Sequence, residues 1–366
     1  MSPIKVLIVD DSALIRQLLK EILSDDPLIE VVATAQDAIF ARKKIERLNP
    51  DVITLDVEMP RMNGLEFLKI LLAEKAMPVI MVSSLTKVNC DITIACLEAG
   101  AVDFVTKPSV PADLDQLADE IKSKIKAAAR ARIRKSAEKP KAPGQKLPVN
   151  LAATLDVPDK YDVGAVLERK KYRPENNRDP IIAIGASTGG VSALYDVLHL
   201  LPPGLPGIVV AQHMPAGFTK AFATRMNNRC RIAVKEAENG DRIRPSSAMI
   251  APGDYHLIVQ RDPNGYYVNL NGGPAVNRHR PSVDVLFRSV ANTAGKNVLG
   301  IILTGMGNDG AKGMLEMKDS GSYNIAQDEN SCVVFGMPKS AIDNHSVNKV
   351  VSLPEMADFI VGYYRK

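Results

Sequence analysis

The first 125 residues alternate, five times over, a short β-branched run with an amphipathic stretch, and few architectures satisfy that pattern. The runs lie at residues 4–10, 30–35, 52–56, 79–83 and 103–107. Between the first two, Leu14, Leu18, Leu19, Ile22 and Leu23 recur at helical spacing, with Ser12 placed to cap the helix. Parallel neighbours need a crossover between them, so strict β–α alternation predicts a parallel sheet with helices on both faces.

The pattern then lapses. Residues 139–148 (KPKAPGQKLP) are rich in Pro and Lys without apolar periodicity and read as extended linker. Between Lys126 and Arg178 lie 14 basic and 6 acidic residues, leaving 32 basic and 36 acidic elsewhere, so the net charge of +4 is concentrated in this one segment. A DNA-binding regulator using that segment is the rival reading, but no aromatic-interleaved or base-reading motif accompanies the charge. A domain of residues 1–125, a linker of 126–178 and a second domain of 179–366 are expected.

Periodicity returns at Ile181. Residues 181–186, 208–213 and 298–304 read as buried parallel strands, with helices at 191–201, 218–228 and 311–319. Residues 248–251, 255–260 and 266–270 are short runs separated by turn signatures, and predict a β-hairpin or meander inserted into a second, mainly parallel α/β domain. The four cysteines have neither metal-ligand nor disulfide-framework spacing. No apolar run reaches the ~18–20 residues of a membrane span, and the N-terminus leads straight into a strand pattern rather than a signal peptide. A cytoplasmic monomer is expected, with no nucleic acid bound and no membrane insertion.

Asp10 and Asp11 end the first predicted strand and Asp56 ends the third, so three carboxylates meet at the edge where parallel α/β sheets place their ligands. Such an all-oxygen set suits Mg²⁺. Ser83 and Lys107 end the fourth and fifth strands, where they can bind phosphoryl oxygens. Asp10-Asp11-Ser12, Asp56 with Met59-Pro60, Ser83-Ser84 and Lys107-Pro108 together resemble a response-regulator receiver domain. The resemblance implies that Asp56 accepts a phosphoryl group, that Asp10, Asp11 and Asp56 hold Mg²⁺, and that Ser83, Lys107 and Phe104 transmit the change.

In the second half, Gly185-Ala186-Ser187-Thr188-Gly189-Gly190 follows an apolar strand and precedes a helix, the context of a nucleophile elbow. Of five histidines, His213 ends the next predicted strand and is favoured as general base. His199 reads as ordinary helix surface, while His279 is open between substrate contact and plain loop. Asp309, in Gly305-Met306-Gly307-Asn308-Asp309-Gly310 after a third strand, can orient the imidazole, and the N–H groups of Met306 and Gly307 can serve an oxyanion. The order Ser…His…Asp excludes the α/β-hydrolases.

Together with Gln212-His213-Met214-Pro215, Ala251-Pro252-Gly253 and His279-Arg280-Pro281-Ser282-Val283-Asp284, these motifs are similar to the catalytic domain of the chemotaxis protein-glutamate methylesterases. The resemblance implies Ser187 as nucleophile, His213 as base and Asp309 as orienting acid, with Met306, Gly307 and Thr188 around the oxyanion and substrate and no cofactor at that site. It also implies glutamate γ-methyl esters on methyl-accepting chemotaxis receptors as substrate, glutamine deamidation as a related activity, and a chemotaxis histidine kinase as phosphodonor.

Overall fold

The computed structural model describes residues 2–108, 114–131, 161–170 and 179–365. The first unit is a five-stranded parallel sheet of β1 (Ile4–Val9), β2 (Ile29–Ala35), β3 (Val52–Asp56), β4 (Val79–Ser83) and β5 (Asp103–Thr106), in the order β2-β1-β3-β4-β5. Its helices are α1 (Ala13–Ser24), α2 (Ala38–Leu48), α3 (Gly64–Glu74), α4 (Lys87–Ala99) and α5 (Leu114–Ala128). Ser12 caps α1 as expected, its side chain accepting from the Ile15 N–H. Strand order reverses between β1 and β3, which opens a crevice at their carboxyl ends.

The second unit is built on a seven-stranded, wholly parallel sheet of order β14-β13-β12-β6-β7-β9-β8. In chain order it comprises β6 (Ile181–Ala186), α6 (Gly190–Leu198), β7 (Gly207–Gln212), α7 (Phe218–Asn227), β8 (Ala233–Glu236) and β9 (Ser247–Ile250). The antiparallel hairpin β10 (His256–Asp262)–β11 (Gly265–Asn271) follows, then α8 (Val283–Thr293), β12 (Val298–Ile302) and α9 (Ala311–Asp319). The chain closes with β13 (Tyr323–Gln327), α10 (Met337–Asp343), β14 (Lys349–Val351) and α11 (Leu353–Tyr364).

The parallel sheet and inserted hairpin agree with expectation; the assignment of residues 248–251 to the insertion does not. Ala248, Met249 and Ile250 are buried and pair with β7 inside the main sheet, so the insertion is a two-stranded hairpin. Strands β8, β13 and β14, of four, five and three residues, are not among the expected strands.

Of the stretch read as linker, residues 126–131 and 161–170 are described. Helix α5 continues past residue 125 because Ile125 and Ala128 are fully buried against the first sheet. Residues 161–170 pack on the second unit, with Val163 buried among Ile258, Val276 and Val285. The Pro/Lys run at 139–148 lies outside the described residues.

The units are joined face to face. One apolar cluster passes from Ile94, Leu97 and Phe104 of the first into Val191, Met214, Phe218 and Phe222 of the second. Helix α4 thereby lies across α6 and α7, while β5 and α5 reach the second unit through Asp103–Thr188 and Ser123–Met306.

Candidate active site

In the second unit, β12, β6 and β7 are adjacent, and each delivers one member of the expected set from its carboxyl end. Ser187 follows β6 and His213 follows β7, with His213 Nδ1 3.1 Å from Ser187 Oγ. On the other side of the ring, His213 Nε2 lies 2.8 Å from Asp309 Oδ2. The elbow depends on its glycines. Gly189 has φ +76°, and a Cβ there would meet Val333 at 2.6 Å; a Cβ on Gly305 would come within 2.8 Å of the Ser187 Cβ.

Asp309 is held by more than His213. Its Oδ2 also accepts the Val283 N–H at 2.6 Å, and its Oδ1 accepts Asn277 Nδ2 at 2.6 Å, Ser282 Oγ at 2.9 Å and the Asp284 N–H at 3.2 Å. Two of these are amides opening α8, so the carboxylate sits where the helix dipole favours negative charge. Burial opposes its ionisation. The His213 hydrogen bond, the charges of His213 and His279, and the Asn277 bond prevail and keep the carboxyl below the usual carboxylate range. Its neighbour Asp284 goes the other way, pushed up to about 7 by burial and by the charge of Asp309. Two adjacent buried carboxyls are thus pushed in opposite directions.

His279 stacks on His213, with ring centroids 3.7 Å apart and planes 13° apart. His256 is buried deeper, its Nδ1 accepting the Ser282 N–H and its Nε2 facing the Pro274 carbonyl. Sequence reasoning gave Asn277, Ser282 and Asp284 no part in the site. The signal available was His279-Arg280-Pro281-Ser282-Val283-Asp284, which marks a motif without showing that it folds onto Asp309. His199, expected on the helix surface, is the C-cap of α6, half-buried with its ring stacked on Tyr195.

Met306 and Gly307 lie on the turn between β12 and Asp309, with Gly307 exposed and at φ +83°. Met306 Sδ accepts the hydroxyl of Ser123 on α5 at 3.7 Å. The Thr188 hydroxyl donates to Asp103 of β5 and not toward Ser187. Around them Phe104 meets Phe218 with centroids 4.4 Å apart, Ser192 Oγ donates to the Leu97 carbonyl, and Glu98 pairs with Arg225 and Arg229. The cavity left between Ser187, His213, Asp103 and Phe104 is about 10 Å³, room for one water at most.

In the first unit, Asp10, Asp11 and Asp56 bring carboxylate oxygens within 4.8 Å of one another. Lys107 Nζ lies 2.9 Å from Asp10 and 2.8 Å from Asp56. Apart from that ion pairing, Asp10 Oδ2 and Asp56 Oδ2 are buried without a hydrogen bond. Burial, then the charge of Asp10, pushes Asp56 up to about 6 despite Lys107. Under-compensated, all-oxygen and near-anionic, this donor set fits a hard divalent cation. Ser83 is fully buried and accepts a hydrogen bond from Thr93 of α4 at 2.8 Å. Phe104 is buried in the interface.

Both units match known families. The CheB methylesterase family profile matches residues 182–360, and the response regulator receiver domain profile matches residues 6–119. The chain is 52% identical over 363 residues to protein-glutamate methylesterase/protein-glutamine glutaminase 1 of Geobacter metallireducens, covering 99% of this chain and 96% of that one. It is 52% identical over 359 residues to the protein-glutamate methylesterase/protein-glutamine glutaminase of Paraburkholderia xenovorans, covering 98% and 95%. The solved catalytic domain of Thermotoga maritima CheB methylesterase aligns with 50% of this chain and 98% of its own at 38% identity, with a TM-score of 0.49.

Proposed function

This chain belongs to the CheB methylesterase family, and we propose that it hydrolyses glutamate γ-methyl esters on methyl-accepting chemotaxis receptors and deamidates specific glutamines there. On this reading it is a cytoplasmic monomer that receives its phosphoryl group from a chemotaxis histidine kinase. No helix among the described residues is long and apolar enough to cross a membrane. The observation that carries the proposal is the continuous relay Asp309–His213–Ser187 across three adjacent strand ends.

His213 Nδ1 takes the Ser187 proton as Oγ bonds to the ester carbonyl carbon. Asp309 keeps the other proton on Nε2 and offsets the charge of the imidazolium. The tetrahedral oxyanion faces the N–H groups of the Met306–Gly307 turn. Collapse breaks the C–O bond, and His213 returns its proton to the leaving methanol. Water then repeats the sequence on the glutamyl-serine ester and frees the carboxylate. From a glutamine the leaving group is ammonia, a poorer one, so deamidation is slower.

The first unit regulates this site. In the docked arrangement Thr188 is bound by Asp103, and Leu97, Asp103 and Phe104 of the first unit line the pocket against Ser187 and His213. Asp10, Asp11 and Asp56 would hold Mg²⁺, which when bound compensates the charge on Asp56 and on the incoming phosphoryl group. Lys107 then contacts the phosphoryl oxygens. Ser83 must leave Thr93 to reach them, which disturbs α4 and the contacts it makes with α6 and α7.

The test is methanol release from methylated receptor, with labelling of Ser187 by a fluorophosphonate. Ser187→Ala and His213→Ala abolish release, and Asp309→Asn lowers it ~10⁴-fold by stabilising the wrong imidazole tautomer. Release at the unsubstituted rate in Ser187→Ala refutes the assignment.

A further inference from the structure

Residues 161–170 precede the stretch matched by the methylesterase profile, yet they are fastened along the esterase unit by several independent contacts. Val163 is 1% exposed, packed against Ile258, Val276 and Val285. Asp162 accepts the Gly164 N–H and pairs with Lys312 at 2.8 Å. Arg288, itself paired with Glu316, donates to the Leu167 carbonyl at 2.9 Å. Asn292 joins the segment twice, accepting the Lys170 N–H and donating to the Glu168 carbonyl.

The upstream end of this segment reaches the catalytic machinery. The Tyr161 carbonyl accepts the Asn277 N–H at 3.2 Å, and Tyr161 bridges Val276. Residues 276–279 form a turn closed in both directions between Val276 and His279. Within it Asn277 and Arg278 have φ of +51° and +69°, a conformation that residues other than glycine keep only where their surroundings impose it. That turn sends the Asn277 amide to Asp309 and Asp284, both within 2.7 Å, and lays His279 on His213.

We propose that residues 161–170 are a strap built into the esterase unit, and that Tyr161 and Val163 are positioning residues that set Asp309 by fixing the 276–279 turn. The proposal rests on Ser187, His213 and Asp309 being the catalytic set. Val163 anchors the strap beneath the turn, the Tyr161 carbonyl fixes the turn's backbone, and Asn277 passes the constraint to the Asp309 carboxylate. The result is a relay already oriented when substrate arrives, with the strap touching no substrate itself. Because efficiency depends steeply on sub-ångström placement of reacting groups, a loosened strap slows nucleophile activation with little effect on binding.

The experiment uses the full chain with Mg²⁺ and a small-molecule phosphodonor present, so that the first unit does not limit access. Fluorophosphonate labelling of Ser187 and the kcat and KM for methanol release are measured for Val163→Asp, Val163→Ile, Asp162→Ala, Asn277→Ala and the Val163→Asp/Asn277→Ala pair. Val163→Asp is expected to slow labelling and lower kcat by ~10-fold with KM changed less than ~2-fold, and Val163→Ile to restore both. Asn277→Ala is expected to match it, and adding Val163→Asp to Asn277→Ala to cost less than ~2-fold more, since both act on one element. Labelling at the unsubstituted rate in Val163→Asp, or losses that multiply in the pair, overturns the proposal. Should Val163→Asp fail to fold, Asp162→Ala, which removes the exposed Lys312 pair and the Gly164 cap of the strap, decides it: a loss of ~3-fold supports the strap and no loss refutes it. Ser187→Ala is the control, because labelling that survives it refutes the catalytic assignment and not the strap.

Discussion

Glu98→Gln is a sharp test of occlusion, because it removes one charge from the interface and leaves the packing in place. Glu98 lies on α4 with its side chain 11% exposed and meets Arg225 through two nitrogens at 2.7 Å and Arg229 at 2.8 Å. A fully buried pair broken on one side costs ~3–5 kcal/mol. Here Arg225 is 30% and Arg229 40% exposed, and both return to water when the units separate, so the docked state loses only ~1–2 kcal/mol. That shifts the docked-to-open ratio by ~5–30-fold. Starting from about 1% open, the open fraction rises to about 5–20%, and Ser187 labelling in the unphosphorylated chain accelerates by about the same factor. Exposed parts of the pair are screened by salt, so raising ionic strength speeds labelling of the unsubstituted chain more than of the variant. The measurement is the fluorophosphonate labelling rate without phosphodonor. An unchanged or slower rate in Glu98→Gln refutes occlusion as the resting control.

Two further outcomes follow from buried titratable groups. Asp56 has a native value of about 6 against an ordinary 3.8, so between about pH 4 and 6 the metal-free native state binds more protons than the unfolded chain. Its contribution therefore falls as pH rises through that window, on the order of 3 kcal/mol in all. Removing Mg²⁺ with a chelator at pH 7.5 lowers the receiver's unfolding midpoint in urea, and Asp56→Asn abolishes that metal response. His256 is the opposite case: burial lowers it from 6.5, outweighing the Pro274 carbonyl and Asp309. Stability present above pH 6.5 is then lost as pH falls through 6.5 toward the lowered native value, and His256→Gln flattens that part of a urea-midpoint profile taken from pH 8 to 5.

The sequence by itself determined the elements whose side chains declare a period, and the residues that end them. Strands β1, β3 and β4 of the first sheet and the strands before Ser187, His213 and the Asp309 turn are largely buried apolar runs bounded by chemistry, so their carboxyl ends could be read directly. Both sites were legible for the same reason: a parallel sheet places every strand's carboxyl end on one edge, so residues far apart in sequence must meet there. Strands as short as Lys349–Val351 carry no period, and Ala248–Ile250 carries no mark saying which sheet it joins; pairing with β7 alone decides it. Only tertiary structure shows that Asn277, Ser282 and two amides of α8 converge on Asp309, because those contacts depend on a turn strained by two left-handed residues and on a helix approaching from the far side of a hairpin. The interface is the clearest case. Glu98 and Leu97 read as ordinary residues of one amphipathic helix, and they become the cover of an active site only when α4 packs on α6 and α7. Local sequence encodes which face of a helix is apolar, whereas the partner for that face is set by the complementarity of two folded surfaces, which no window of sequence contains.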